Sequence, residues 1–300
     1  MGKGLMILCC LVPFLMGAYP LPGGGLSQDV TLLVEPGRGP VEGYYKALIE
    51  LALKKSGYIG NVSVVRYPPS QLSNTDLVIN SSDPYTIVAG TNPRFEEQML
   101  AVHVPIYLGL GSGYRIMLIR RDSQQRLSTV KTLKDLQAFS VGQGRGWSDI
   151  PILENAGLTV VQGEQYRDLF PMLAWGRFDL FSRGLFEVYP EYESYREEYP
   201  TLAVEERLVV VYPFAIFFFV SREHHELHRI LEQGLSKAYA SGELQDLLMA
   251  QPTVSDALTR ARLDKRMRID LPAYDMTLET LKAIQAYPFV FGKEKGQPPY

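Results

Sequence analysis

Residues 31–67, TLLVEPGRGPVEGYYKALIELALKKSGYIGNVSVVRY, decide the fold class. Positions 31–35 form a short apolar, β-branched run stopped by Pro36-Gly37, which is how a strand ends in a loop. Tyr44, Ala47, Leu48, Leu51 and Ala52 then recur at three- and four-residue spacing, which predicts a helix over 44–55. Val62, Val64 and Tyr67 mark a second strand over 61–67, and the apolar run at 76–80 reads as a third. A strand, helix and strand in this order require a parallel pair joined by a crossover, hence an α/β layer.

The pattern recurs downstream. Residues 114–119 read as a strand, 140–142 as a short strand, 149–156 as a helix and 159–162 as a strand, which makes a second α/β unit. Residues 209–220 read as one or two strands interrupted at Pro213, and helical patterns cover 226–240 and 244–249. Polarity rises beyond Gln251, and the tail over 287–300 is rich in Pro, Gly and Lys.

The first 25 residues have a different character. Lys3 precedes an apolar run over 4–16 that is broken by Pro13, and Gly17-Ala18 or Gly23-Gly24-Gly25 offers small residues for cleavage, the pattern of a secretory signal peptide. The run is shorter than the roughly 20 residues a membrane span needs. Cys9 and Cys10 both lie inside it, so the exported chain is expected to have neither disulfide nor thiol chemistry. They follow Leu8 and come too early for lipid attachment, and export without an anchor points to a bacterial periplasm. Lys+Arg number 30 against 33 Asp+Glu, a net charge of −3, and loss of Lys3 makes the remainder more acidic. No basic footprint for nucleic acid exists. After Ser27 the longest apolar stretch, 212–220, is too short to hold the exported chain in a membrane.

Several motifs could carry chemistry. Gly142-Gln143-Gly144-Arg145-Gly146-Trp147-Ser148-Asp149 lies between a predicted strand and a helix with Pro151 in its first turn. Alternate glycines let the backbone approach a ligand, and free N–H groups at a helix start favour an anion. The spacing lacks the third glycine of the dinucleotide fingerprint, and no P-loop lysine follows. Arg94, after Thr91-Asn92-Pro93, could hold a carboxylate, or be an ordinary surface arginine. Asp179, Phe181 and Arg183 would share one face of a short strand, where a buried Asp–Arg pair is the plainest outcome. His225-Glu226-Leu227-His228 fails as a zinc motif, because position 229 is Arg229. Ser112 fails as a nucleophile elbow, because Leu110 stands where glycine is needed.

Together these residues resemble the type II periplasmic substrate-binding proteins, in particular the amino-acid-type solute-binding family 3. Gly90-Thr91-Asn92-Pro93-Arg94 followed by Val104-Pro105-Ile106-Tyr107 is similar to the family's T-x-x-R helix start and F-S-x-P-Y strand. Thr132-Leu133-Lys134-Asp135-Leu136 with Val141-Gly142-Gln143-Gly144, Gly176-Arg177-Phe178-Asp179, and Ser241-Gly242-Glu243-Leu244 follow in the family's order. The resemblance covers about 31–250. It implies an α/β two-lobed clamshell, each lobe a mixed sheet flanked by helices, with two crossover strands as hinge. Lobe one would comprise 28–112 and 213–270, lobe two 113–212, and 271–300 a C-terminal extension.

The resemblance further implies a ligand cleft between the lobes. The family's carboxylate-binding arginine carries over to Arg94, with Thr91 beside it; its aromatic near the first helix falls on Tyr44 or Tyr45. Its loop of N–H donors falls on Gly144, Arg145, Gly146 and Trp147, with Asp179 and Arg183 completing the set. Two departures bear on specificity. Arg183 and Gly184 stand where family members that bind α-amino acids usually have an acid, and Ile87, Val88 and Ala89 replace the expected hydroxyl residues. Arg183 with Arg94 and Arg145 suits a small polar or anionic solute. The expectation is therefore a monomeric periplasmic solute-binding protein, without cofactor, metal or catalysis, that delivers an amino acid or organic acid to an ABC-type permease or a sensor. The alternatives are a clamshell-fold enzyme of dehydratase or lyase type and an orphan ligand-sensing module.

Overall fold

The computed structural model describes residues 29–35, 39–66 and 71–289; the expected signal peptide at 1–25 lies outside them. The first lobe begins β1 (Val30–Val34), α1 (Gly39–Lys55), β2 (Val62–Arg66), α2 (Gln71–Asn80), β3 (Tyr85–Gly90), α3 (Pro93–Gln98), β4 (Met99–Val102) and α4 (Leu108–Gly111). The second follows as β5 (Tyr114–Arg120), α5 (Gln124–Leu127), α6 (Leu133–Leu136), β6 (Ser140–Gly144), α7 (Ile150–Asn155), β7 (Thr159–Gly163), α8 (Leu169–Ala174), β8 (Leu180–Gly184), α9 (Val188–Tyr195), β9 (Leu202–Val204) and β10 (Leu208–Val211). The chain then returns through β11 (Ile216–Ser221), α10 (His225–Ala240) and α11 (Glu243–Met249), and ends in α12 (Pro252–Ala261), β12 (Met267–Asp270) and α13 (Leu278–Ala286).

Each lobe has one mixed sheet. In the first the order is β2-β1-β3-β11-β4, with β1 parallel to β2 and β3, and β11 antiparallel to β3 and β4. Phe217, Phe218 and Phe219 of β11 are all fully buried, because β11 is an inner strand covered on both faces and has no solvent face to alternate with. Helix α10 buries Leu227, Ile230, Leu231, Leu235 and Ala238, an apolar stripe at helical spacing. That stripe brings α10 against α1 so closely that a Cβ on Gly234 would lie 2.1 Å from the Ala52 carbonyl oxygen. In the second lobe the order is β12-β10-β5-β8-β6-β7, with β9 pairing β5.

The chain's first two crossings between the lobes lie side by side, where β5 and β10 run antiparallel with Val211 opposite Tyr114. The Tyr212 N–H donates to the Gly113 carbonyl, 3.1 Å away, which ties the outgoing chain to the returning one.

Two expectations need correction. Residues 76–80 belong to helix α2, not to a strand. Val78 is fully buried while Leu77 and Ile79 are only partly so, the one-sided burial of a helix, and a short apolar run does not distinguish the two by itself. The stretch up to 270 does not all return to lobe one. Helix α12 reaches α9 through the Arg260–Glu193 ion pair at 3.0 Å, and β12 adds a parallel edge to β10 in lobe two. Residues 271–277 then cross a third time, and α13 packs on lobe one, where Ala283 joins the buried apolar cluster that holds Phe95 and Phe217. Thr277 and Thr280 each donate a hydroxyl to Glu96, at 2.7 and 2.6 Å.

Candidate functional site

A cavity lies between the lobes, at the C-terminal ends of β1, β3, β6 and β8, where α/β sheets commonly bind ligands. Lobe one contributes Glu35, Tyr45, Asn74, the end of β3 from Ile87 to Gly90, and Phe214 with Ile216. Lobe two contributes Arg115, the Trp147-Ser148-Asp149 turn, Arg183 and Glu187. The cavity volume is about 70 Å³.

The turn after β6 is shaped by its glycines. Gly146 has φ +79°, which a side chain would strain, and a Cβ on Gly144 would lie 2.4 Å from the Trp147 indole, so the ring folds back over bare backbone. Ser148 then reaches across the cleft: its hydroxyl donates to the Gly90 carbonyl at 2.5 Å and accepts from the Asn92 amide at 2.7 Å. Asn92 is also the N-cap of α3, accepting from the Phe95 N–H at 2.8 Å, so the lobe-one helix start and the lobe-two turn share one hydrogen-bond chain.

Two buried arginines flank this turn. Arg183 grips Glu191 with two bonds of 2.5 and 2.6 Å and lies 3.2 Å from Glu187, its guanidinium 4.9 Å from the Trp147 ring centre. Burial works against its charge, but Glu187 and Glu191 outweigh it and hold the group protonated well beyond the ordinary arginine range. Arg115 sits 3.3 Å from Asp149 and 3.9 Å from Glu187, packed against Phe214 at 4.7 Å. Burial opposes its charge too, and Tyr212, Asp149 and Glu187 overcome it. Asp149 also accepts from the Tyr212 hydroxyl at 2.9 Å and the Gln143 amide at 3.2 Å. Burial raises the Tyr212 hydroxyl far above the usual phenol range.

Of the residues expected from sequence, Tyr45, Trp147 and Arg183 line the cavity. Tyr44 is buried behind it, donating to the Ile106 carbonyl, while the Tyr45 hydroxyl meets that of Tyr107 at 3.1 Å. Thr91 is buried and donates to Glu96. Arg94 is exposed on α3 and outside the lining. Arg145 and Gly146 are exposed, and Arg145 pairs with Glu164. Gly144 is buried under the indole. Asp179 precedes β8 at the end remote from the cleft; it accepts from the Ser140 N–H and hydroxyl, both at 2.9 Å, and lies 3.5 Å from Arg126. The expected Asp179–Arg183 pair is thus replaced by Asp179–Arg126 and Arg183–Glu191. Sequence reasoning did not find Arg115, Asn74 or Glu187; a charge inside the apolar run 114–119 was the signal for Arg115.

Among the described residues no group of three or more His, Cys, Asp or Glu could hold a metal, and no helix is long and apolar enough to cross a membrane.

Two lobes joined by crossing strands around an inner cavity make this a type II periplasmic-binding-protein fold. No family model and no curated protein matches the sequence. Among solved structures, an ancestral arginine-binding protein bound to arginine is similar at TM-score 0.56 and 14% identity, over 75% of this chain and 98% of that one. A structure from work on glutathione import by way of a cystine ABC importer of Streptococcus mutans is similar at TM-score 0.57 and 16% identity, over 75% and 95%. A histidine kinase sensor domain with similarity to periplasmic binding proteins gives TM-score 0.55 and 14% identity, over 75% and 96%. Likeness at these identities is a likeness of fold. The resemblance read from the sequence holds at that level.

Proposed function

We propose that this chain is a solute-binding protein that encloses one small polar or anionic molecule, of the amino acid or organic acid class, between its lobes. The observation that carries the reading is the polar cavity at the sheet ends, lined from both lobes and bridged by Ser148. Similarity in fold to solute-binding proteins, one of them of an amino acid ABC transporter, supports binding over catalysis. Within this reading the N-terminal 25 residues are a signal peptide, the site of action is the periplasm, and the protein works as a monomer that hands its solute to a membrane permease or a sensor. Tyr45, Trp147 and Arg183 are carried forward as ligand contacts, while Arg94, exposed, is not.

A thermal-shift screen of small carboxylates, hydroxy acids and amino acids tests this. At 100 times its dissociation constant a true ligand stabilises by about 2.7 kcal/mol, a rise of several degrees. The reading fails if nothing in the screen raises the midpoint, or if the compound that does so is chemically converted.

A further inference from the structure

Two buried residues that line the interlobe cavity, one from each lobe, each carry a side-chain atom without a hydrogen-bond partner. Asn74 on α2 is 3% exposed with its Oδ1 unpaired, and Arg115 on β5 is 3% exposed with its Nε unpaired. Folded proteins leave few such groups, because each costs the desolvation that a hydrogen bond would have offset. The other guanidiniums nearby are committed. Arg183 is clamped by Glu191, and exposed Arg145 pairs with Glu164 outside the cavity. The contacts of Arg115 with Asp149 and Glu187 are long, and Asp149 is shared with Tyr212 and Gln143, so Arg115 retains donor capacity toward the cavity.

We propose that Arg115 and Asn74 are the two opposed grips of the solute site: Arg115 donates to a carboxylate, and Asn74 accepts from a hydroxyl of the same molecule. The assignment rests on the solute-binding reading and narrows it to a short hydroxy acid. A guanidinium with a free N–H matches a carboxylate oxygen. A single neutral amide oxygen satisfies a hydroxyl, which has one proton to donate, but leaves an ammonium with two of its three unmatched in a buried site. The nearby carboxylates already have partners: Asp149 has Tyr212 and Arg115 at its Oδ2, Glu187 has Arg183, and Glu35 has a partner of its own.

The test is calorimetry of lactate, propionate, alanine and lactamide against the wild type, Asn74→Ala and Arg115→Gln, with unfolding midpoints measured without solute. The wild type should bind lactate about fivefold or more tightly than propionate, the scale of one hydrogen bond. Asn74→Ala should erase that gap and keep the midpoint, since its Oδ1 has no partner to lose. Arg115→Gln should weaken lactate about thirtyfold or more and remove its advantage over lactamide. Because Arg115→Gln also breaks a buried ion pair and can unfold the chain, the Asn74 arm decides on its own. A lactate preference that survives in Asn74→Ala overturns the proposal, as does alanine binding more tightly than lactate. If the wild type binds other solutes from the screen but none of these four, the hydroxy-acid assignment falls and the binding reading stands. If nothing in the screen binds, both fall.

Discussion

Replacing Glu96 with alanine should cost this protein about 3 kcal/mol. The Glu96 side chain is 10% exposed on α3 and accepts from Thr91, from Thr277 and Thr280 at the start of α13, and from His103 at 3.2 Å. Burial acts to raise its carboxyl, but the hydrogen bonds from His103, Thr280, Thr91 and Thr277 outweigh it and bring it from 4.5 down to about 2. A drop of that size corresponds to about 3 kcal/mol at neutral pH. Since the folded value lies below the unfolded one, the stabilisation is complete above about 4.5 and is lost as pH falls through about 2. At about 2.1 cal/mol/K of unfolding entropy per residue, the change lowers the melting midpoint of a chain of this length by about 5 °C. Scanning calorimetry of wild type and Glu96→Ala at pH 7 and at pH 3 measures it, and the gap should narrow at the lower pH. Limited proteolysis should cut the variant first within 271–277, where the third crossing loses its anchor. A midpoint change under about 2 °C at pH 7, or a gap that does not depend on pH, would refute the reasoning.

Three more outcomes are expected. Gly234→Ala puts a Cβ 2.1 Å from the Ala52 carbonyl oxygen, so it should destabilise by about 1 to 3 kcal/mol in urea unfolding through separation of α1 from α10. Arg94→Ala removes an exposed charge outside the cavity lining, so calorimetry should show affinity for a screened solute changed by about 0.5 kcal/mol or less, whereas the family resemblance on its own requires a loss of more than 2 kcal/mol. The chain has two tryptophans, Trp147 at 8% exposure beside the cavity and Trp175 at 72% on the surface; solute should change the emission of a Trp175→Phe variant and leave that of Trp147→Phe unchanged.

The first lobe was legible because its strand, helix and second strand announce themselves by local spacing, and β1, α1 and β2 fall close to where that spacing puts them. The run at 76–80 misled because three adjacent apolar residues fit a buried strand as well as a helix with one buried face. The site was harder to read because its chemistry is assembled over long separations. Arg115 acquires meaning only when Asp149 and Glu187 fold against it, and Asn74 only when α2 is known to be a helix facing β3. Trp147 was visible in the glycine-rich turn and Arg183 on one face of a short strand, yet the partner of Arg183 proved to be Glu191 and not Asp179. The Arg94 assignment came from motif order alone, and no local pattern records which way a side chain on a short helix points. The pairing of β12 with β10 joins segments more than fifty residues apart, for which a polar C-terminal stretch carries no signal.

The central claim is that one solute is held between the two lobes. Hydrogen–deuterium exchange with and without the best compound from the thermal-shift screen tests it most directly, because it reads both walls of the cavity at once. The account predicts slowed exchange both at the end of β3 and its loop, 87–92, and at the turn 144–149, with the hinge segments 112–114 and 211–214 slowed as well. Protection confined to one lobe, or to the surface around Trp175, would contradict it.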